Sequence, residues 1–480
     1  MKKLTKFKKE WRQAGIVLLS LICLGGFGSC VDGNSDVSVP TYYPSDPGQP
    51  VTFSDFTPTE GTLRTRMFIR GTNFGTDTSL INVIIGGQKA KVITSTGTEI
   101  YCMVPARASG GNVEVEIRNA ENAESVKYTF EQTFTYQYNT SVGTLCGKED
   151  ADGKHTIADG TFEEAGFGSL RMMLFDDRER DIYVVEGDAT ANMQLRRIDL
   201  DAKTVSTTLK TGAVNWGGRI YSSAWSADKD TIFMNSLHSN EENTGVYYFL
   251  RKENFAIGHD CVIGKQIRCV FTHPTEAGLL FYYRQDDSKL YRAIFNPDNG
   301  LWEGVPLTTF VQSGQNIESC IFHPTGKYVY CLTKEGRNIA KADFDINTKT
   351  FSVPSVFVGQ HGIGGFQDGV GNSARFWCPT QGCFVLNEEY VRAGKEDTYD
   401  FYVVDCDNHC VRTVTPTGVV TLYAGRGSVS TDGQVNGYID GDLRETARFK
   451  WPFGICYDPS DGTFYISDKD NYRIRTIAVQ

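Results

Sequence analysis

The 480-residue chain reads as all-β, a small sandwich followed by a six-bladed propeller. Three observations predict this. Aromatic residues and glycines are abundant, with 23 Tyr, 29 Phe and 49 Gly. That composition suits many short strands joined by tight turns. No sustained 3.6-residue amphipathic pattern and no heptad runs through the chain, so helices are not expected. Finally, the stretch from about residue 139 to 480 repeats itself, roughly every 50 residues at first and every 60–70 later. The length by itself allows about two to four domains.

The N-terminus comes first. Lys2, Lys3, Lys6, Lys8, Lys9 and Arg12 surround the entry to an apolar run that begins at Ala14. The run is about 15 residues, short for a bilayer span but the size of a signal-peptide core. Gly28 and Ser29 then lead into Cys30. Phe27-Gly28-Ser29-Cys30 resembles the lipobox of bacterial lipoprotein signals, with Phe27 in place of the usual aliphatic residue. The resemblance implies that residues 1–29 are removed and that Cys30 is acylated. Acyl chains contribute about 0.8 kcal/mol per buried CH₂ and would anchor the chain firmly. A lipoprotein signal followed by a tether and folded domains resembles cell-surface lipoproteins of Bacteroidetes-type bacteria, which implies an outer-membrane, lipid-anchored location facing the cell exterior. No later apolar stretch is long enough to cross a membrane. The whole chain has a net charge of −10. Removing the six basic residues and Glu10 takes it to about −15, a surface that repels nucleic acid and anionic lipid.

Residues 30–50 carry Pro40, Pro44, Pro47 and Pro50 among polar residues. Such spacing favours an extended tether with no core. Residues 51–136 alternate short apolar runs with glycine turns, and seven strands are expected there. Gly71-Thr-Asn-Phe-Gly75, Ile85-Gly-Gly87 and Met103-Val-Pro105 closely resemble signature positions of IPT/TIG domains, which are immunoglobulin-like sandwiches. In bacterial surface proteins such a module commonly serves as a spacer.

Residues 139–480 contain six segments in one frame. Their inner strands are expected to start near Leu170, Ile220, Ile267, Ile317, Pro379 and Pro452. One four-stranded sheet per repeat predicts a propeller. In the last two repeats, Asp368-Gly-Val-Gly-Asn-Ser-Ala-Arg-Phe376 matches Asp440-Gly-Asp-Leu-Arg-Glu-Thr-Ala-Arg-Phe449. Val404-Asp-Cys-Asp-Asn-His-Cys-Val-Arg-Thr-Val414 matches Ser467-Asp-Lys-Asp-Asn-Tyr-Arg-Ile-Arg-Thr-Ile477. These segments strongly resemble NHL repeats; the first four segments lack the Asp-x-x-Asn-x-x-(Val/Ile)-Arg element. The chain stops after the third strand of blade six. Val142-Gly-Thr-Leu-Cys-Gly147 resembles the fourth strand of blade five, so the stretch around Ser141–Cys146 is expected to complete blade six and leave no open edge.

Asp405, Asn408 and Arg412, like Asp468, Asn471 and Arg473 or Arg475, are read as turn-capping and pairing groups. Eleven cysteines besides Cys23 and Cys30 sit mostly in apolar runs and read as core residues. Cys406, His409 and Cys410 make an incomplete zinc set, so neither metal nor cofactor is expected.

The resemblance implies ligand binding at the mouth of the central channel. Arg171, Tyr221, Arg268, Glu318, Thr380 and Phe453 follow the first residue of each inner strand and differ from blade to blade. Trp216, Arg219, Lys265, Gln266, Gln315, Asn316, Trp377, Lys450 and Trp451 lie just before the strands. Aromatic planes beside Arg, Gln and Asn suit a saccharide. Trp377 and Trp451 have a second reading, as wedges between blades. Trp451→Ala or Arg268→Ala is expected to weaken binding with little change in fold. The expected function is non-catalytic capture of a glycan for uptake, with outer-membrane uptake machinery as a partner. A protein-binding scaffold and a propeller lyase or hydrolase are the alternatives. His273, His323 and His409 are poorly placed for the converging set that an enzyme needs.

Overall fold

The computed structural model describes residues 42–479, apart from residues 63–64, 106–107, 109–110, 120–124, 150–152, 188–191, 310–315 and 427–433. Cys30, the signal segment, most of the tether and Gln315 lie outside the described residues. Contacts divide the chain into a unit of residues 1–43 and a unit of residues 44–480. Among the described residues, no helix is long and apolar enough to cross a membrane.

The sandwich contains eight strands. Their hydrogen-bonded order is Thr52–Thr57, Arg66–Thr72, Glu99–Met103, Gln88–Ser95, Ile81–Ile85, Gly111–Arg118, Ser125–Tyr136 and Glu60–Gly61. Period-two alternation drives it: Ile81, Val83 and Ile85 are buried, as are Val113, Val115 and Ile117 in the neighbouring strand. These side chains join Met67, Ile69, Ile100 and Phe134 in one core. The eighth strand, Glu60–Gly61, pairs in parallel with Thr135 and Tyr136. Two residues are too few to show alternation, which is why seven strands and not eight are legible in the sequence.

Six sheets follow, each led by an innermost strand at one edge. These strands are Leu170–Asp176, Ser223–Trp225, Ile267–Thr272, Ile317–Phe322, Pro379–Leu386 and Pro452–Asp458. Consecutive innermost strands touch around the ring, and Pro452–Asp458 meets Leu170–Asp176 to close it. Closure uses the strand anticipated from the sequence. Thr140–Cys146 pairs antiparallel with Arg473–Val479, with Val142 opposite Ile477. The short strand Gly441–Asp442 then pairs with Ser141 and Val142 on the other side, so the outer edge of blade six is partly covered.

Aromatic packing between blades supplies much of the cohesion. Phe271 and Phe281 of blade three meet Phe322, Phe344 and Phe351 of blade four in one buried cluster. Burying each such ring contributes about 1.5–3 kcal/mol. The eleven described cysteines are free, and all except the half-buried Cys383 are buried.

Candidate functional site

The repeat motif ties the strands and turns of one blade to each other through buried polar groups. In blade five, Asp405 Oδ1 accepts the N–H groups of Trp377 at 3.0 Å and Cys378 at 2.9 Å. Its Oδ2 accepts from Asn408 Nδ2 at 2.6 Å. Arg412, fully buried, donates to Asp368 at 2.7 Å and to the carbonyl of Gln367 at 2.9 Å. Blade six repeats this: Asp468 accepts from Lys450 N–H, Asn471 and Arg475, each at 2.7 Å. Arg475, not Arg473, is therefore the motif arginine; Arg473 pairs with Glu149 at 2.9 Å. Burial pushes the Asp468 carboxyl up to about 6 despite Arg475, and burial likewise raises Asp405.

Blade one lacks that sequence segment, as expected, yet carries an analogous network. Arg196 donates to Glu186 at 2.8 Å and to Asp159 at 2.9 Å, and Gln194 donates to Glu186 at 2.6 Å. Glu replaces Asp, Gln replaces Asn, and the intervening turn is longer, so the spacing is lost. A signal was present in Asp159-Gly-Thr-Phe-Glu-Glu-Ala-Gly-Phe167, which parallels Asp368–Phe376.

The six residues expected at the channel mouth do come together, but as a ring bonded to itself. The Arg171 guanidinium lies 4.4 Å from the Phe453 ring centroid and 5.4 Å from that of Tyr221. Arg268 lies 3.9 Å from the Tyr221 centroid and pairs with Glu318 at 2.6 Å. Ser319 donates to the Thr380 carbonyl at 2.7 Å, and Thr380 donates to the Phe453 carbonyl at 2.6 Å. Five of the six are buried, with exposures between 0% for Thr380 and 8% for Phe453; Tyr221 is half-buried. Burial would favour a neutral Arg268, but Glu318 and Tyr221 outweigh it and hold the guanidinium above its ordinary pKa. Arg268 is thus half of a buried ion pair. Its removal is therefore expected to disturb the fold, whereas the sequence reading expects little change in fold.

Gln381 lies directly behind this ring. Its Oε1 accepts the N–H of Met173 at 3.0 Å and of Ile455 at 3.3 Å, and its Nε2 donates to the Met173 carbonyl at 2.7 Å. One carboxamide thereby links blades five, six and one. Gly454 permits the approach, because a Cβ there would stand 2.5 Å from the Arg171 carbonyl and 2.9 Å from Gln381 Oε1.

The residues just before the inner strands separate into three groups. Trp216 is buried, 5.3 Å from the Tyr247 ring in a core shared with blade one. Lys265, Gln266, Asn316 and Lys450 are half-buried. Lys265 pairs with Glu241 at 3.4 Å and Asp286 at 3.5 Å, and the Asn316 N–H is accepted by Glu335 at 2.9 Å. Arg219, Trp377 and Trp451 are exposed. Trp377 is 43% exposed and Trp451 36%, so neither is a core wedge. Arg337 lies 4.4 Å from the Trp377 ring. Trp451 donates its indole N–H to Asp407 at 3.0 Å and its backbone N–H to His409 Nδ1 at 3.1 Å. Burial lowers the His409 pKa and so favours this accepting nitrogen.

Beyond Gln381 the channel widens into a cavity of about 870 Å³ that all six innermost strands line. Phe175, Trp225, Phe384, Tyr399 and Tyr457 give it half-buried aromatic walls, with Ser223 and Ala224 as small side chains between them. Its rim is set by the turns after the innermost strands, at Asp177, Pro274, Pro324 and Pro459. The Trp225 indole N–H is accepted by the Phe175 carbonyl at 3.0 Å, and Asp177 pairs with Lys229 at 2.6 Å. The sequence reading missed this end of the channel, since its aromatic residues read as core. Small residues in mid-strand (Ala224, Gly382) and prolines after the strands were the available signal.

One carboxylate cluster among the described residues has the spacing of metal ligands: Asp176, Glu179 and Asp181, with oxygens within 4.8 Å of one another. Arginines already neutralise it. Arg251 reaches Asp176 at 2.6 Å and Glu179 at 3.3 Å, and Arg197 reaches Asp181 at 2.5 Å. The set is an ion-pair network between blades one and two.

The fold and this channel define a class: an IPT/TIG module joined to a six-bladed propeller with an axial cavity. A family model for the IPT/TIG domain matches residues 50–138. The crystal structure of an auxiliary nutrient binding protein from Bacteroides thetaiotaomicron is 35% identical, covering 91% of this chain and 99% of its own, with a TM-score of 0.68. An auxiliary nutrient binding protein from Bacteroides ovatus is 33% identical, covering 91% of this chain and 100% of its own, with a TM-score of 0.65. A Bacteroides thetaiotaomicron protein described as a phosphatase is 32% identical, covering 91% and 98%, with a TM-score of 0.67. The chain belongs to the family these three Bacteroides proteins represent. No curated protein matches it.

Proposed function

We propose that this protein is a lipid-anchored cell-surface protein that captures a saccharide nutrient in its propeller without altering it chemically. The observation that carries this reading is its likeness, over nine-tenths of the chain, to two proteins described as auxiliary nutrient binding proteins. The channel supports it with aromatic walls around a volume suited to an organic ligand. The lipobox resemblance at Cys30 supports the anchor, and the proline-rich tether and IPT/TIG module then act as a spacer.

The test is calorimetric titration of the detergent-solubilised protein with neutral and acidic oligosaccharides, alongside an assay of p-nitrophenyl phosphate hydrolysis. Saturable saccharide binding with the sugar recovered unchanged is expected. Phosphate release together with no saccharide binding refutes the reading in favour of the relative described as a phosphatase. Affinity for a protein partner alone refutes it in favour of a scaffold.

A further inference from the structure

The channel is open at one end only. Where the innermost strands begin, the ring from Arg171 to Phe453 and the Gln381 carboxamide fill the axis. Their contacts are mutual and mostly buried, so opening that end requires breaking the Arg268–Glu318 pair at low dielectric. Where the strands finish, the axis is a space of about 870 Å³. That volume is near the upper end of the range for ligand pockets, about 300–1,000 Å³.

The wall has a definite chemistry. The charged side chains among the described lining residues are Asp177, Lys229 and Glu388. All three belong to segments that follow an innermost strand or its first turn, and Asp177 and Lys229 neutralise each other. His273 is held below its ordinary pKa by burial, and its Nδ1 accepts the Glu276 N–H at 3.1 Å. Glu388 is left as the one uncompensated charge among the described lining residues, so the interior carries no net positive charge to attract an acidic sugar. It offers half-buried aromatic faces at Phe175, Trp225 and Tyr457. It also offers backbone, because each innermost strand is the last of its sheet. No neighbouring strand pairs the axial edge of such a strand, although side chains take part of it: the Phe175 and Trp225 carbonyls accept from Trp225 and Thr272, and the Val270 N–H is accepted by Ser222. Six such edges around a half-apolar space match a molecule with apolar ring faces and many neutral hydroxyls.

We propose that the ligand enters from the end where the innermost strands finish and inserts the terminus of a neutral, linear saccharide chain into this blind well. The inference rests on the saccharide reading above and adds the entry side, the neutrality of the sugar and the recognition of chain ends. A well closed behind Gln381 cannot thread an internal segment. Affinity per chain end is then constant as the chain grows, and cyclic sugars are rejected.

The experiment titrates detergent-solubilised full-length protein with linear hexaoses of glucose, mannose and xylose, a cyclic glucose hexamer and hexagalacturonate. Ala224→Trp fills the well, and Val353→Trp, at an exposed position, is the control. Binding of at least one linear neutral hexaose is expected, weakened tenfold or more by Ala224→Trp and within twofold in Val353→Trp. Because Ala224→Trp can misfold, Ala224→Cys provides a second arm. Its thiol is expected to react with N-ethylmaleimide and to be protected by the bound hexaose. Normal hexaose binding by a folded Ala224→Trp protein, or an Ala224→Cys thiol that never reacts, overturns the proposal. So does loss of binding in Trp377→Ala/Trp451→Ala while Ala224→Trp binds normally. Preference for hexagalacturonate or equal binding of the cyclic hexamer also overturns it. In each of those binding outcomes saccharide capture still stands. No binding of any sugar by the parent protein refutes saccharide capture itself.

Discussion

At the scale of single residues, burial decides what each charged group does. Arg268 and Glu318 form a buried pair at the closed end of the channel. Truncating one partner leaves the other charge uncompensated, so Arg268→Ala is expected to destabilise the protein by about 3–5 kcal/mol, read as a lowered denaturation midpoint. Arg268→Met/Glu318→Met should recover part of that loss, since it removes both charges. Asp468 gives a pH signature. Its carboxyl is raised to about 6 in the fold, against about 4 in an unfolded chain. The folded state holds that proton more tightly, so this contribution to stability is complete below about pH 4 and is lost as pH rises to about 6. Comparing urea midpoints of the parent and Asp468→Asn across that window should show the parent's relative stability falling with pH. A constant difference would mean that Asp468 is charged throughout. The turn-capping roles of Asp405, Asn408 and Asp468 were legible in the sequence, because residue type and spacing alone suffice for a local turn. The motif alignment sets Arg475 opposite Arg412, but that Arg473 turns instead to Glu149 is decided across strands far apart in the chain.

At the scale of elements, blade six depends on a strand from the other end of the domain. Ser141–Cys146 was identifiable because it repeats the pattern of Val420–Gly425, and the ladder with Arg473–Val479 joins the two ends. Deleting residues 139–147 should bare that strand, lower the melting temperature and raise the aggregated fraction on size exclusion. Unchanged melting would show that the ladder is dispensable. Blade one shows where sequence reading stops. Its Glu186–Arg196–Asp159 network matches those of blades five and six in space, yet a longer turn and two substitutions hide it. A motif search counts positions along the chain, whereas a salt bridge needs only the side chains to meet.

At the scale of the whole molecule, the expected function combines an anchor, a spacer and a binding propeller. Cys30→Ala should move the protein from the membrane pellet to the soluble fraction. Equal membrane association of variant and parent would count against acylation. Protease treatment of intact cells should digest the folded domains if they face outward, and full protection would place them on the periplasmic side.

The sequence by itself determined the all-β class, the six-fold repeat, the IPT/TIG module and the closing strand. Each of these is written in local periodicity, in turn residues or in self-similarity, and such signals survive without knowledge of neighbours in space. Only the tertiary structure decided which end of the channel is open. Arg171, Tyr221, Arg268, Glu318, Thr380 and Phe453 lie roughly 50–70 residues apart in the chain and look like a variable binding ring. Brought to one axis, a cation meets an aromatic ring, an arginine meets a carboxylate, and the polar groups satisfy one another instead of a ligand.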